Sequence, residues 1–267
     1  MQNNQEEQLS FGGHLEVLRQ MILRILAVIT SLAVLIFIFK DTAWRIILAP
    51  GSWDFITYRL IEQIAQIFNA GFQFGHYEVA LIATELSSQF MMHITTSVYL
   101  GCLGASPYIL YEVFRFVLPA LYENEKKKSL LVAITIYILF FLGVFISYFL
   151  IFPISFRFLG TYSVADKVNT MITLSSYITT FTSLTLILGI VFQLPILIYI
   201  LTKLSLVNQG MLIFYRKYAF FAIVFLSALI TPPDIMSCLI VSTPLYLLYE
   251  CSILISKYAS IKRKDGR

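Results

Sequence analysis

The chain has 267 residues, of which 58% are hydrophobic and 13% charged, with a mean hydropathy of +0.81 and a net charge of +4. A soluble domain carries about 25% charged residues, so these are too few to coat a globular surface. The composition argues against a soluble enzyme or a nucleic-acid binder and for a single integral membrane domain over 1–267 with thin polar loops.

The segment before Met21 is polar and carries Glu6, Glu7 and Glu16. It lacks the basic start of a secretory signal and the acid-poor character of a transit peptide. The expectation is a chain made where it works, or one that has lost a targeting segment.

A helix needs about 20 apolar residues to cross about 30 Å of hydrocarbon. The first span is 21–39, with Arg24 and Lys40 placed to snorkel to the headgroups. The loop that follows holds Ile61, Ile64, Ile67 and Phe68 at helical spacing. Such a helix would lie on the membrane surface or cap a bundle. The second span, 86–106, contains His93, Thr95, Thr96, Ser97 and Gly101, which suit the inside of a bundle better than lipid. The third, 129–151, has no charge at all. The fourth runs over 177–201 and carries Gln193 beside Pro195. Gln193 is placed to hydrogen-bond a neighbouring helix of this chain or a partner subunit. The last apolar tract is broken by Thr231-Pro232-Pro233-Asp234, since consecutive prolines stop a helix. It becomes a hairpin of two short spans, 218–230 and 235–250, with Asp234 placed to cap the second. The runs are solidly apolar, without the alternation of a membrane barrel.

Six spans put both termini on one side. Only Lys40, Arg45, Arg59, Arg157 and Lys167 of the 19 Lys and Arg residues then fall on the opposite side. The positive-inside rule places both termini in the cytoplasm or its organellar equivalent.

The sequence holds no G-x-G-x-x-G, Walker A or H-E-x-x-H pattern. Cys102, Cys238 and Cys251 are scattered, which argues against a disulfide framework or a metal site. No cofactor is expected. No span has an acid at its centre, which weakens a proton-coupled carrier. His93 reads as a hydrogen-bonded bundle residue before a proton relay. Three clusters remain. His14-Leu15-Glu16-Val17-Leu18-Arg19 opens the first span and is either an interfacial anchor or a binding element. The second cluster, 106–128, ends in Glu125-Lys126-Lys127-Lys128. Its lysines serve orientation and lipid contact. Glu125 offers a carboxylate to a cationic partner, because Arg pairs with it bidentately. The third is the 231–234 turn.

In order along the chain, these clusters resemble the TatC family, the multi-spanning receptor component of the twin-arginine protein translocase. The resemblance rests on Ser106-Pro107-Tyr108-Ile109-Leu110-Tyr111-Glu112-Val113-Phe114, then Phe116 with Pro119-Ala120-Leu121-Tyr122 and Glu125. Tyr148-Phe149, Phe152-Pro153, Thr231-Pro232-Pro233-Asp234, Pro244-Leu245 and Tyr249-Glu250 continue it. It implies an all-α membrane fold, six transmembrane helices in a cupped bundle with the last two short. It also implies an inner face that binds the paired arginines of a signal peptide. Glu125 fits the acidic position, framed by Phe116, Pro119 and Leu121. Arg19 and Glu16 fit the N-terminal motif, and Pro50 fits a family proline after the first span. Gln193, Pro232 and Asp234 would dock single-span partners of the TatA/TatB type in a homo- or hetero-oligomer. The proton-motive force would drive transport of folded cargo.

Three departures stand out. The family places an acid where this chain has Val17, so Glu16 lies about 100° away around a helix. Many members have Glu at the position of Gln193. The first outside loop is longer than usual. Gln193, the Phe- and Ile-rich composition and the missing presequence lean towards mitochondrion-encoded members and an inner mitochondrial membrane. A bacterial plasma membrane or a thylakoid is the alternative, and such composition also occurs in AT-rich bacteria. Two other functions compete with the receptor: a small-solute secondary transporter, and a membrane assembly factor that transports nothing.

Overall fold

The computed structural model describes residues 11–67, 80–117, 126–162, 170–204, 206–231 and 234–264. Among these, the elements in chain order begin with α1 (Phe11–Ile38), α2 (Lys40–Leu48), a single 3-10 turn at Ala49–Gly51 and α3 (Ile56–Ile67). Strand β1 (Leu81–Ile82) leads to α4 (Ser88–Val117) and α5 (Lys126–Ile146). A π-helical turn at Ser147–Ile151 joins α5 to α6 (Phe152–Thr161), and β2 (Ile172–Thr173) opens α7 (Leu174–Val191). The chain ends with α8 (Leu194–Lys203), α9 (Gln209–Phe214), α10 (Arg216–Ile230) and α11 (Ile235–Lys264).

Four helical stretches among the described residues are long and apolar enough to cross a membrane: Leu15–Ile38, Val132–Thr161, Leu174–Lys203 and Ile235–Tyr258. α4 and α10 complete a bundle of six. α4 carries the Thr- and Ser-rich run, and its Thr96 and Ser97 are buried. α10 has 15 residues, about 22 Å at 1.5 Å per residue, short for a hydrocarbon core of about 30 Å.

Small residues set the closest helix approaches. A Cβ on Gly101 of α4 would stand 2.9 Å from the backbone nitrogen of Ala33 in α1. A Cβ on Gly143 of α5 would stand 2.6 Å from the carbonyl oxygen of Leu188 in α7. Both pairs of backbones meet only because no side chain intervenes, the usual device where lipid supplies no hydrophobic drive.

Three helices run further than the sequence indicates. α4 passes through Pro107 to Val117, where the sequence suggests an end near residue 106. The third span passes through Pro153 to Thr161 instead of stopping at 151. α11 passes Glu250 to Lys264, so α10 is short and α11, at 30 residues, is not.

The first two have one cause. Proline lacks the N–H that would bond the carbonyl four residues back. Pro107 releases the Leu103 carbonyl, and the Ser106 hydroxyl donates to it at 2.6 Å. Pro153 releases Phe149, and the Thr57 hydroxyl of α3 donates to that oxygen. The π turn adds slack, with the Phe152 N–H reaching the Ser147 carbonyl. Hydroxyls thus restore what the prolines remove, as membrane helices permit. The third extension needs no such device, because a glutamate limits an apolar span but not a helix; Glu250 continues α11 and pairs with Arg216 at 2.8 Å.

The outer end is closed by a cap. Pro50 is buried, and it releases the carbonyl of Ile46. The Tyr148 hydroxyl donates to that oxygen at 2.7 Å. Tyr177 donates to Ile47 at 2.8 Å, and Tyr58 to Pro153 at 2.7 Å. Beneath lies an aromatic core of Phe152, Phe156, Tyr177 and Phe181 in edge-to-face contacts. The two outer loops meet in a parallel pairing of two residues each, Leu81 with Ile172 and Ile82 with Thr173.

α3 is the loop helix that the sequence indicates, and it docks by the face that carries Thr57 and Tyr58. Thr57 and Tyr58 are buried, whereas Ile56, Leu60, Ile64 and Ile67 form an exposed apolar stripe. Phe68 lies outside the described residues. Asp54 holds the preceding turn to Arg59 (2.8 Å to Nε) and pushes its guanidinium above the usual range by hydrogen bonding and charge.

Candidate functional site

The charged residues that the sequence singles out lie at the start of α1 and around the end of α4. α1 and α4 pack along each other, which brings residues far apart in sequence together at this end. Glu16 and Arg19 lie one turn apart on α1 and pair at 3.1 Å. Gln20 Nε2 donates to the other carboxylate oxygen at 3.2 Å. These side chains are open to solvent, 49% for Glu16 and 70% for Arg19. An exposed pair of this kind contributes about 0–1 kcal/mol and exchanges partners readily. Val17, at the position where the family places its acid, is exposed beside Glu16.

One turn further along α1, the half-exposed Arg24 has a partner that the sequence does not indicate. Its Nη1 donates to Glu112 of α4 at 3.3 Å. The Tyr108 hydroxyl donates to the same Oε1 at 2.8 Å. Glu112 is only 5% exposed. Helical spacing places Tyr108 and Glu112 on one face, and the crossing with α1 brings Arg24 to it. The sequence reading passes over Glu112 as a site residue. Its signal in the sequence is an acid four residues after Tyr108, in a run whose one other charge is Arg115.

Glu125, Pro119 and Leu121 fall in 118–125, outside the described residues. Phe116 lies in the last turn of α4, and its side chain also falls outside them. Residues 118–125 are the connection from α4 to α5, so Glu125 immediately precedes the first residue of α5.

Two expected groupings separate. Pro50 does not join Glu16 and Arg19. It follows the far end of α1, and the 28 residues of that helix span about 42 Å. Its role in the structure is the outer turn, as the Tyr148 bond to Ile46 shows. Gln193 and Asp234 also lie apart. Gln193 sits at the break between α7 and α8, and its Nε2 donates to the Ile136 carbonyl of α5 at 3.1 Å. Its Oε1 is buried without a partner among the described residues. Asp234 caps α11, accepting from the Ser237 N–H at 2.6 Å, as its position after the proline pair indicates. Pro232 lies outside the described residues.

Among the described residues no group of His, Cys, Asp and Glu could hold a metal ion. What the inner end offers is carboxylate: one buried and paired, one exposed and loosely paired. Each of the two pairs with an arginine of α1, Glu112 with Arg24 and Glu16 with Arg19.

The family model for Sec-independent protein translocase protein TatC matches residues 13–244. The TatC of a Blattabacterium from Periplaneta americana is 33% identical over 264 residues, covering 97% of this chain and 99% of that protein. The chain belongs to the TatC family. TatCy of Bacillus subtilis is 37% identical over 189 residues, 71% of this chain and 74% of its own. A crystal structure titled as the twin-arginine translocase receptor TatC superposes with a TM-score of 0.73 at 28% identity, covering 92% of this chain and 99% of that one. The TatC match spans the inner ends of α1 and α4, the 118–125 connection and most of the outer cap, so the site and its scaffold fall within the family's own boundaries.

Proposed function

We propose that the chain is the signal-peptide receptor of a twin-arginine translocase. Its family membership over residues 13–244 carries this reading and favours it over a solute carrier or an assembly factor. Glu125 is the principal carboxylate for the paired arginines, with Phe116, Pro119 and Leu121 framing it. Glu16 is the second acid. Its exposed pair with Arg19 can be exchanged for an incoming guanidinium at little cost. Glu112 is the positioning acid: held by Arg24 and Tyr108, it ties α1 to α4 and so sets where Glu16 stands relative to the 118–125 connection. The signal's apolar segment then lies along the bundle. Folded cargo crosses at the expense of the proton-motive force.

Single-span TatA/TatB-type subunits are the proposed partners, docking near Gln193 and at the hairpin of Pro232 and Asp234. The relatives in hand are bacterial, which supports a bacterial plasma membrane with both termini inside. The composition that leans towards mitochondrial members is one that AT-rich bacteria share.

The test is photo-crosslinking of a twin-arginine peptide to the full chain in its native membrane. Glu125→Lys should lower the yield about tenfold or more, since a like charge then faces the arginines. A Lys-Lys peptide should crosslink weakly to the unaltered chain. Undiminished crosslinking to Glu125→Lys would remove that residue from the site.

A further inference from the structure

At about 100° per residue, α3 divides lengthwise into three sectors. Thr57, Tyr58, Ile61 and Ala65 form the docking side, the first two buried and the others half-buried. Ile56, Leu60, Ile64 and Ile67 form the second sector, and all four are exposed. Arg59, Gln63 and Gln66 form the third, also exposed. A helix that only covered the bundle would show one apolar side and one polar side. Here the surface turned away from the bundle is itself split, apolar on one flank and polar on the other.

The third span fixes the level at which α3 docks. The last charge on its inner side is Lys128, and the next along the chain is Arg157. Phe149, whose carbonyl accepts from Thr57, stands about 21 residues beyond Lys128, about 32 Å along the helix. That matches a hydrocarbon core of about 30 Å. The Tyr148 bond to Ile46 sets the same level beside α2, which carries Lys40, Asp41 and Arg45. α3 thus meets the bundle at the outer edge of the hydrocarbon. Its contact with the third span is concentrated on the π turn, and it runs along neither α5 below nor α6 above. The helix leaves the bundle sideways, in the plane of the membrane.

We propose that α3 is an interfacial helix that seats its apolar sector in the outer leaflet and so anchors the outer cap to lipid. Ile56, Leu60, Ile64 and Ile67 enter the boundary between headgroups and acyl chains, and Arg59, Gln63 and Gln66 stay in water. Amphipathic helices of this kind sink their apolar face about 5–10 Å into that boundary. Trp53, exposed in the turn before α3, is a residue type enriched at that level. The level selects lipid as the occupant, because a protein covering the stripe would first have to displace acyl chains.

The experiment uses the full chain in nanodiscs of phosphatidylcholine and phosphatidylglycerol, carrying Cys102→Ala, Cys238→Ala and Cys251→Ala. A nitroxide is attached in turn at Leu60→Cys, Ile64→Cys, Gln63→Cys and Gln66→Cys. Its collisions with oxygen and with a water-soluble nickel chelate are compared. All four positions are exposed, so labelling should leave the thermal midpoint unchanged. Labels at Leu60→Cys and Ile64→Cys should meet oxygen in preference to nickel, at a depth of about 5–10 Å. Labels at Gln63→Cys and Gln66→Cys should meet nickel in preference to oxygen. Equal nickel contact at Ile64→Cys and Gln63→Cys overturns the proposal, since the stripe then lies in water. So does a label at Ile64→Cys that meets neither, since a protein surface then covers it. In a chain that keeps its cysteines, brominated phosphatidylcholine should quench the fluorescence added by Ile64→Trp more than that added by Gln63→Trp; equal quenching also overturns the proposal.

Discussion

The outer and inner ends of the bundle treat polar groups in opposite ways. At the outer end, Tyr148, Tyr177 and Thr57 each donate to a backbone carbonyl beside an aromatic core, the Tyr177 bond fully buried. Two of those carbonyls are ones that prolines left without partners. At the inner end, Glu16 shares its carboxylate between Arg19 and Gln20 in the open, while Glu112 is buried under Arg24 and Tyr108. The outer end spends its polar groups on rigidity. The inner end keeps one acid fixed and leaves another exchangeable, which is what a receptor for arginine needs from a rigid frame.

Three substitutions test that contrast, the largest effect first. Tyr177→Phe removes the hydroxyl that satisfies Ile47 in a buried setting. The expected loss is about 1–3 kcal/mol, read as a lower thermal midpoint in detergent. Signal-peptide crosslinking should stay as it was; a stable variant with weakened crosslinking would reverse the assignment of the two ends.

Arg24→Met leaves Glu112 with only the Tyr108 hydroxyl. The arginine is half exposed, so the expected cost is about 1 kcal/mol rather than that of a fully buried pair. Adding Glu112→Gln to the Arg24→Met chain should restore part of the loss, because no unpaired carboxylate then remains buried. Failure of the double variant to recover would show that Arg24 acts through packing alone.

Glu16→Gln should change the thermal midpoint least, within about 0.5 kcal/mol, as expected for an exposed pair. Crosslinking of the twin-arginine peptide should drop by at most about fivefold, less than for Glu125→Lys. A larger drop than at Glu125 would make Glu16 the principal acid.

Much of this was legible in residues close together in the chain. The hairpin followed from adjacent prolines, and the Asp234 cap from its place beside them. The weak polar second helix and the short fifth one were visible as a Thr-rich run and a 13-residue tract. The ends of α4 and of the third span were not legible. A proline reads as a stop unless a hydroxyl supplies the missing bond, and for Phe149 that hydroxyl belongs to Thr57, 92 residues away. The face by which α3 docks was not legible either: its isoleucines form a stripe, but the face that packs is the one whose Tyr58 donates to the Pro153 carbonyl, 95 residues away.

By itself the sequence determined the membrane character and the number of spans, because composition and length need no partner to act. The resemblance of its motifs named the family. Only the tertiary structure decided which acid is buried and which is exposed, and which carbonyls the tyrosines satisfy. Those bonds join residues 88 to 130 positions apart, Arg24 to Glu112 and Tyr177 to Ile47. Whether two such groups meet depends on helix crossings, and the crossing of α1 with α4 is set where Gly101 lets α4 lie against Ala33 of α1.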